Sequence, residues 1–493
     1  MFRVHYNDSS ENRDVGDHYA AEAGARGVFT FSSREGACVR LPPGTETTDV
    51  YTTVEDAAYN LIRLQRIFVA HIALVCPPFS GHLNPMTALG CALQQRGHRV
   101  TVLGVADVRT KVQAEGLEFY PIGHSDFPLG SMAEVIAQLG ALHGLAGVRY
   151  ELADIQRRTI MLCRDAPAAL RAIQADGVVV DQIELSGATI AESLGLPFVT
   201  VYNALMIDRD PWVPPVYTLW PYRTTRSAQL RNRLGAALGL YITRPVRSTL
   251  NAYRRQWHLP PVRSDADFLS PLAQISQLPA AFDFPRRSLP PYYHYTGPFL
   301  ARARPSIPFP WDRLTGQPLV YASLGTLQNR ARAVFHAMAA ACAGLDVQLV
   351  LTLGGGGKVS DYHDLLGSPL VVEYAPQLEL LARARLTITH AGLNTVLESL
   401  SYGVPLVAIP ITNDQPGVGS RLAWSGAGRV VPLARLDASR LRIAVRSVLA
   451  NPNYHRQAAR LRDAIQGSGG APHAAAIVEQ AVLTHTSVPN TTT

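Results

Sequence analysis

A rhythm of short apolar runs alternating with helical stretches passes through this chain twice, with a break between the two passes, and that doubling limits the fold more than any other feature. His71-Ile-Ala-Leu-Val-Cys76 reads as a buried strand. It is followed by a loop over 77–82 and a helix predicted from about Pro85 to Arg96, with Asn84 as its cap, Pro85 in its first turn and Gly97 at its end. The next strand runs over 99–105, which completes a βαβ unit, the seed of a doubly wound parallel sheet. The pattern continues with Gly177-Val-Val-Val-Asp181 as a strand, 186–195 as a helix and 197–202 as a strand. The segment 300–318, rich in Pro and Arg, interrupts it. Strands are then expected at 319–323, 347–353, 370–373, 386–389 and 404–409, with helices at 330–342 and 393–402 and a last helix at 471–484. The expected architecture is α/β: two Rossmann-like domains, 69–300 and 319–470, joined by a linker at 301–318 and followed by a C-terminal helix and polar tail. Open sheets of this kind bind ligands beyond the carboxyl ends of their strands, so the cleft between the two domains is the expected active site.

Composition fits this reading. At 493 residues the chain exceeds what one core usually organises, and 47% hydrophobic against 17% charged residues describes a globular protein. No apolar run reaches the roughly 18 residues of a membrane span, and the first 25 residues lack the apolar centre of a signal peptide. A cytoplasmic protein is expected. The cysteines at 38, 76, 91, 163 and 342 are scattered, without a Cys-x-x-Cys, so neither a disulfide framework nor a zinc site is indicated. The formal charge of +7 is carried by arginine, and it is uneven: 211–264 holds no acidic residue but nine arginines among Trp, Tyr and Leu. Two readings stand for that stretch, a solvated helical face and a peripheral contact with the inner face of a membrane. No nucleic-acid motif accompanies it.

Within the second pass, Thr389-His-Ala-Gly-Leu-Asn-Thr-Val-Leu-Glu398 leaves a strand at a histidine, turns on a glycine and enters a helix. Unpaired N–H groups at such a helix start make an anion site. A capping box between Thr395 and Glu398 explains the same residues structurally.

The flanks of this junction carry more. Tyr374-Ala-Pro-Gln377 lies upstream; Gly403-Val-Pro405 and Ile409-Pro-Ile-Thr-Asn-Asp414-Gln415 lie downstream. From 374 to 415 the wording resembles the nucleotide-sugar signature of the family 1 glycosyltransferases, UDP-dependent enzymes of the GT-B fold. That resemblance implies that Tyr374 stacks on the uracil, where many relatives have Trp, and that Gln377 reaches the ribose. It implies that His390, with the backbone of Gly392, Asn394 and Thr395, holds the diphosphate; that Glu398 takes the ribose hydroxyls; and that Asp414 and Gln415 take the sugar hydroxyls. Ser323, Gly325 and Thr326, in the loop after the strand 319–323, would touch the diphosphate or sugar, although a tight βα turn also explains them. A carboxylate aimed at both ribose hydroxyls favours UDP over dTDP, and Gln415 resembles members that use glucose.

In the first pass, Phe79-Ser-Gly-His-Leu-Asn-Pro85 resembles the loop that carries the family's general base, which places that role on His82. The partner that orients it is expected at Asp181, at the end of a strand; capping of the following helix is the other reading of Asp181. The implied chemistry is inverting transfer of a hexose from a UDP-sugar without a metal. The glycine-rich run over 353–359 suggests a phosphate loop, but Thr352 and Val359 stand where that motif needs Gly and Ser or Thr, so a turn after a strand is expected there. The pairs Asp208/Asp210 and Asp265/Asp267 sit in no context that would hold a metal.

The wording from 390 to 418 looks most like bacterial carotenoid (zeaxanthin) glucosyltransferases, with macrolide and flavonoid enzymes behind them, so a lipophilic hydroxylated acceptor is expected. Sterol or glycolipid glucosylation competes with that reading, as does a nucleotide-sugar-binding protein without activity. Residues 1–68 read as an appendage, either disordered or a misassigned upstream start, because the family's first strand usually begins close to the initiator whereas here it begins near Val69.

Overall fold

The computed structural model describes residues 69–490 except 143, 208–209, 288 and 301–306, together with four short strands nearer the start. Those strands are β1 (Arg3–Asp8), β2 (Glu11–Asp14), β3 (Val28–Ser32) and β4 (Cys38–Arg40), which pair antiparallel in the order β2-β1-β3-β4. They belong to a compact unit, Met1–Val69, distinct from Ala70–Thr493. Apart from these strands, the expected appendage over 1–68 lies outside the described residues, as do Asp208 and part of the expected linker.

Ala70–Thr493 contains two parallel sheets. The first is built from β5 (His71–Val75), β6 (Arg99–Gly104), β7 (Glu118–Pro121), β8 (Gly177–Asp181), β9 (Phe198–Tyr202), β10 (Gln274–Ser276) and β11 (Tyr293–Tyr295), in the order β11-β10-β9-β8-β5-β6-β7. All five residues of β5 and of β8 are buried, as expected for strands covered by helices on both faces. The path through this sheet begins at β5 in its middle, winds outward through β6 and β7, and then returns to the other side of β5 through β8. The topological switch point therefore falls between β5 and β8.

The second sheet repeats the plan. Its strands are β12 (Leu319–Ser323), β13 (Gln348–Thr352), β14 (Leu370–Val372), β15 (Ala384–Thr389), β16 (Leu406–Ala408) and β17 (Gly428–Val430), in the order β14-β13-β12-β15-β16-β17. Its switch point lies between β12 and β15. The helix Gly470–Thr484 then crosses back and packs its small face, Ala471, Ala474 and Ala475, into the core of the first sheet with Leu74 and Leu83.

One expected element differs in an informative way. The helix after β5 starts at Ser80 rather than near Pro85, and Asn84 and Pro85 lie inside it. Pro85 has no N–H to give to the carbonyl of Gly81, which would ordinarily break the helix there. That carbonyl instead accepts the side-chain N–H of Asn394, 2.8 Å away in the second lobe. A contact between lobes thus replaces the missing rung, and His82 stands on the first turn of a helix instead of in a loop.

The lobes also meet through a buried charge cluster. Asp283 accepts from Arg421 at 2.8 Å, from Arg286 at 2.7 Å and from the Tyr295 hydroxyl at 2.9 Å. Burial alone would push the Asp283 carboxyl up, but the two guanidiniums outweigh it and hold its pKa well below the usual carboxylate range. Removing one partner from such a set leaves an uncompensated buried charge, which costs about 3–5 kcal/mol.

Candidate active site

The two switch points face each other across the cleft, and the sequence-selected residues collect at them. At the first, His82 follows β5 and Asp181 ends β8. His82 Nδ1 lies 2.7 Å from Asp181 Oδ2. An ionised carboxylate only accepts, so Nδ1 carries the proton and Nε2 is left with a lone pair. Asp181 is fully buried and is fixed by two further donors, the Asn203 amide at 2.6 Å and the Ile183 N–H at 2.9 Å. Burial disfavours the charged imidazole, but the Asp181 charge and hydrogen bond, helped by Asp414, raise the His82 pKa above its ordinary 6.5. The alternative role for Asp181, capping the next helix, is not what its side chain does: the helix Ser186–Ser193 follows Leu185 without a side-chain cap.

At the second switch point, β15 ends in Thr389 and is followed by His390, while β12 ends in Ser323 and leads to Gly325. His390 is buried between two glycines. A Cβ on Gly325, whose φ is +70, would stand 2.7 Å from His390 Cε1, and one on Gly392 would stand 2.5 Å from Nε2. Only glycine at both positions lets the loops close on the ring. Burial pulls the His390 pKa down to about 4, against the opposing pull of the Ser323 carbonyl on a ring N–H, so the imidazole is neutral at pH 7. The helix Leu393–Ser401 begins immediately beyond, with Gly392 at its cap and no side-chain cap. The Thr395–Glu398 capping box therefore does not form, since Thr395 already lies inside the helix. The first N–H groups of this helix remain available to an anion.

Beside it lies a polar relay. The Tyr321 hydroxyl donates to Gln377 Oε1 at 2.8 Å, and Gln377 Nε2 donates to the buried Glu398 at 2.5 Å. Tyr374 is 51% exposed, and its hydroxyl end lies against Gly355, where an added Cβ would come within 2.3 Å. An exposed aromatic ring three residues before Gln377, whose amide is tied to a buried carboxylate, suits a base and its ribose.

Asp414 and Gln415, expected on the sugar, are engaged with protein. Asp414 accepts the Leu205 N–H of the first lobe at 3.0 Å, and burial raises its pKa. Gln415 Oε1 accepts from the N–H groups of Ile411 and Thr412, and its Nε2 lies 3.2 Å from Gln328 Oε1. The Ser323 hydroxyl accepts from Gly325 N–H at 3.1 Å, which tightens the turn and leaves Thr326 exposed beside it.

Sequence reasoning missed Asn203, which had no motif around it, and the buried cluster of Arg158 with Asp154 and Glu184. Arg158 lies within reach of His82, whose pKa it opposes. The spacing of Asp154 and Arg158, one helical turn apart, was the available signal. Among the described residues no group of three His, Cys, Asp or Glu is placed to hold a metal.

Comparison with known proteins fits this geometry. The model of the family described as UDP-glucoronosyl and UDP-glucosyl transferase matches residues 72–467. The chain belongs to that family. As a member of the UDP-glucosyl transferase family it is a UDP-glycosyltransferase. It is 35% identical over 421 residues to a zeaxanthin glucosyltransferase of Pantoea ananas, covering 84% of this chain and 97% of that one. Identity to the 4'-demethylrebeccamycin synthase of Lentzea aerocolonigenes is 28% over 403 residues, 80% of this chain and 95% of the relative. Among solved structures, the glycotransferase of kitacinnamycin superposes with a TM-score of 0.66 at 24% identity, covering 84% of this chain and 99% of that chain. The calicheamicin glycosyltransferase superposes at 0.64, with 24% identity, and covers 84% and 98%. These two likenesses establish the GT-B fold.

Proposed function

We propose that this transferase moves glucose from UDP-glucose to a hydroxyl of a lipophilic acceptor, a carotenoid such as zeaxanthin, with inversion at C1. His82 Nε2 takes the proton of the acceptor hydroxyl, and Asp181 holds the ring and stabilises the imidazolium that forms. The acceptor oxygen bonds to C1 from the face opposite UDP as the bond from C1 to the β-phosphate oxygen breaks. The electron pair leaves with UDP, whose charge meets His390 and the N–H groups at the start of the helix Leu393–Ser401. An α-linked donor gives a β-linked product.

In this reading Tyr374 stacks on the uracil, Gln377 and Glu398 take the ribose, and Ser323, Gly325, Thr326, Gly392, Asn394 and Thr395 surround the diphosphate. Asp414 and Gln415 face the hexose, which requires Asp414 to exchange its bond with Leu205 for one to the sugar. Glu398 leaves a lone pair unmatched when the donor is deoxyribose-based, which favours UDP. The observation that carries the reading is the His82–Asp181 pair, 2.7 Å apart at the first switch point. The acceptor class is supported by the name of the 35% identical relative.

The test is UDP release with UDP-glucose against carotenoid, macrolide, flavonoid and sterol alcohols, for the wild type and His82→Ala. The expected result is turnover with carotenoid diols that His82→Ala abolishes while UDP binding persists. Undiminished transfer by the variant overturns the mechanism, and preference for another acceptor overturns the substrate.

A further inference from the structure

The stretch expected to be either a solvated face or a membrane contact contains the helix Arg226–Ile242, and this helix is inverted. Its buried positions are Ala228, Asn232 and Gly235, all small or polar. Gly235 rests on Pro215 and Trp220, where an added Cβ would come within 2.8 and 3.0 Å, and Asn232 donates to the Pro211 carbonyl at 2.9 Å. The opposite face, at 100° per residue, presents Leu230, Leu234, Leu238 and Tyr241 in one stripe, and they are 58%, 64%, 55% and 72% exposed. A helix that turns its large apolar side chains outward is built to meet something other than water.

Charge identifies what that is. Arg226 and Arg233 flank the stripe, Arg223 precedes it, and all three are exposed and make no ion pair among the described residues. Arg244 and Arg255 lie exposed on the next helix, Arg244–Gln256, and no acidic residue occurs anywhere from 211 to 264. A second copy of this chain would bring arginine against arginine. An anionic bilayer offers both an apolar layer for the leucines and a negative surface for the arginines.

The geometry points to this stripe as the surface on which the protein docks to an anionic lipid membrane, lying in the plane of the headgroups. Its position gives docking a use. Pro215 supports the helix, and the adjacent Val216 carbonyl accepts the Gly417 N–H at 2.7 Å in the helix that starts at Gln415. The docked face therefore lies one chain segment away from the cleft, where a membrane-dissolved acceptor can be received. Only this purpose rests on the lipophilic-acceptor reading; docking itself does not.

The experiment is co-sedimentation of the full chain with vesicles of phosphatidylglycerol and phosphatidylcholine, and with vesicles of phosphatidylcholine alone. The variants are Leu230→Asn/Leu234→Asn/Leu238→Asn and Arg226→Gln/Arg233→Gln. The wild type is expected on the anionic vesicles, released by salt, and largely absent from the neutral ones. The leucine variant should bind at least tenfold more weakly, and the arginine variant roughly fivefold more weakly per charge removed. Circular dichroism and UDP release with a short water-soluble alcohol, unchanged in both variants, establish that folding and the site are intact. Absence of the wild type from anionic vesicles, or equal binding by the leucine variant, overturns the proposal. A wild-type dimer that the leucine variant dissolves, without vesicle binding, overturns it in favour of self-association. Vesicle binding without carotenoid transfer leaves docking standing and removes the acceptor, so the two failures are distinguishable.

Discussion

On the proposed mechanism, replacing Asp181 by Asn separates the two services the carboxylate would perform, orienting His82 and stabilising its charged form. With its amide oxygen toward His82, the asparagine keeps the hydrogen bond and the tautomer, but its NH2 then meets the Ile183 N–H, donor against donor. Turned around, it meets Asn203 with a donor and forces the proton onto His82 Nε2, which destroys the base. The first arrangement is the less costly and leaves the Ile183 N–H and the new NH2 without acceptors, a loss of about 1–3 kcal/mol in stability for each. The catalytic loss is larger. At the observed 2.7 Å and an effective dielectric constant near 20, a unit-charge pair is worth about 6 kcal/mol. The hydrogen bond that survives restores part of this, so about 3–5 kcal/mol of imidazolium stabilisation disappears from the transition state, roughly 10²- to 10⁴-fold in kcat. The pH profile should move as well. If His82 is the base, the acid limb of the wild-type kcat/KM profile should inflect above 6.5, because the Asp181 charge and hydrogen bond, with Asp414, outweigh burial and raise the His82 pKa. In the variant, burial and Arg158 are opposed only by Asp414 and the surviving hydrogen bond, without the Asp181 charge, and the inflection should fall. Because the folded pKa is the raised one, the pair's contribution to stability is complete below pH 6.5 and is lost as pH rises through the folded value. The assay is UDP release across pH 5–9, with UDP binding by calorimetry as the control for the second lobe. Wild-type kcat with an unmoved acid limb would refute the reasoning.

Two other perturbations probe the donor side. Gly325→Ala places a methyl group 2.7 Å from the His390 ring at a positive φ, so UDP affinity should fall at least tenfold while thermal unfolding shows a stability loss of about 1–3 kcal/mol. His390 starts neutral, with a pKa of about 4 and one N–H drawn to the Ser323 carbonyl, so it can donate to the diphosphate through the other nitrogen only by gaining a proton. Calorimetry in buffers of different ionisation enthalpy should therefore show proton uptake on UDP binding that His390→Asn removes.

Much of the fold was legible because fully buried parallel strands write themselves as unbroken apolar runs. Gly177–Asp181 and Leu319–Ser323 match their expected limits for this reason. At Ser80–Gln95 the sequence is locally ambiguous because Pro85 marks a helix start; only a donor from the other lobe makes the earlier start workable, and no local pattern records it. His82 and Asp181 could be paired by motif and strand position, whereas Asn203, the third group on the same carboxylate, carries no signal except its place at the end of β9. Thr395 and Glu398 had the spacing of a capping box, but the helix begins two residues before Thr395, so its hydroxyl cannot serve as the cap. The outward leucines of Arg226–Ile242 show the opposite case: an apolar period that is real in the sequence but whose direction only packing reveals.

The bond from Asn394 to the carbonyl that Pro85 leaves open also bears on how such enzymes can be recombined. Grafting the donor lobe of one relative onto the acceptor lobe of another is the natural route to new sugar and acceptor pairings. Here the helix that carries His82 borrows a backbone rung from the lobe that carries His390. A chimera that keeps the proline at 85 but loses the asparagine at 394 inherits a helix with a defect at the turn bearing His82. Positions 85 and 394, far apart in sequence, therefore need to travel as one unit across any crossover point.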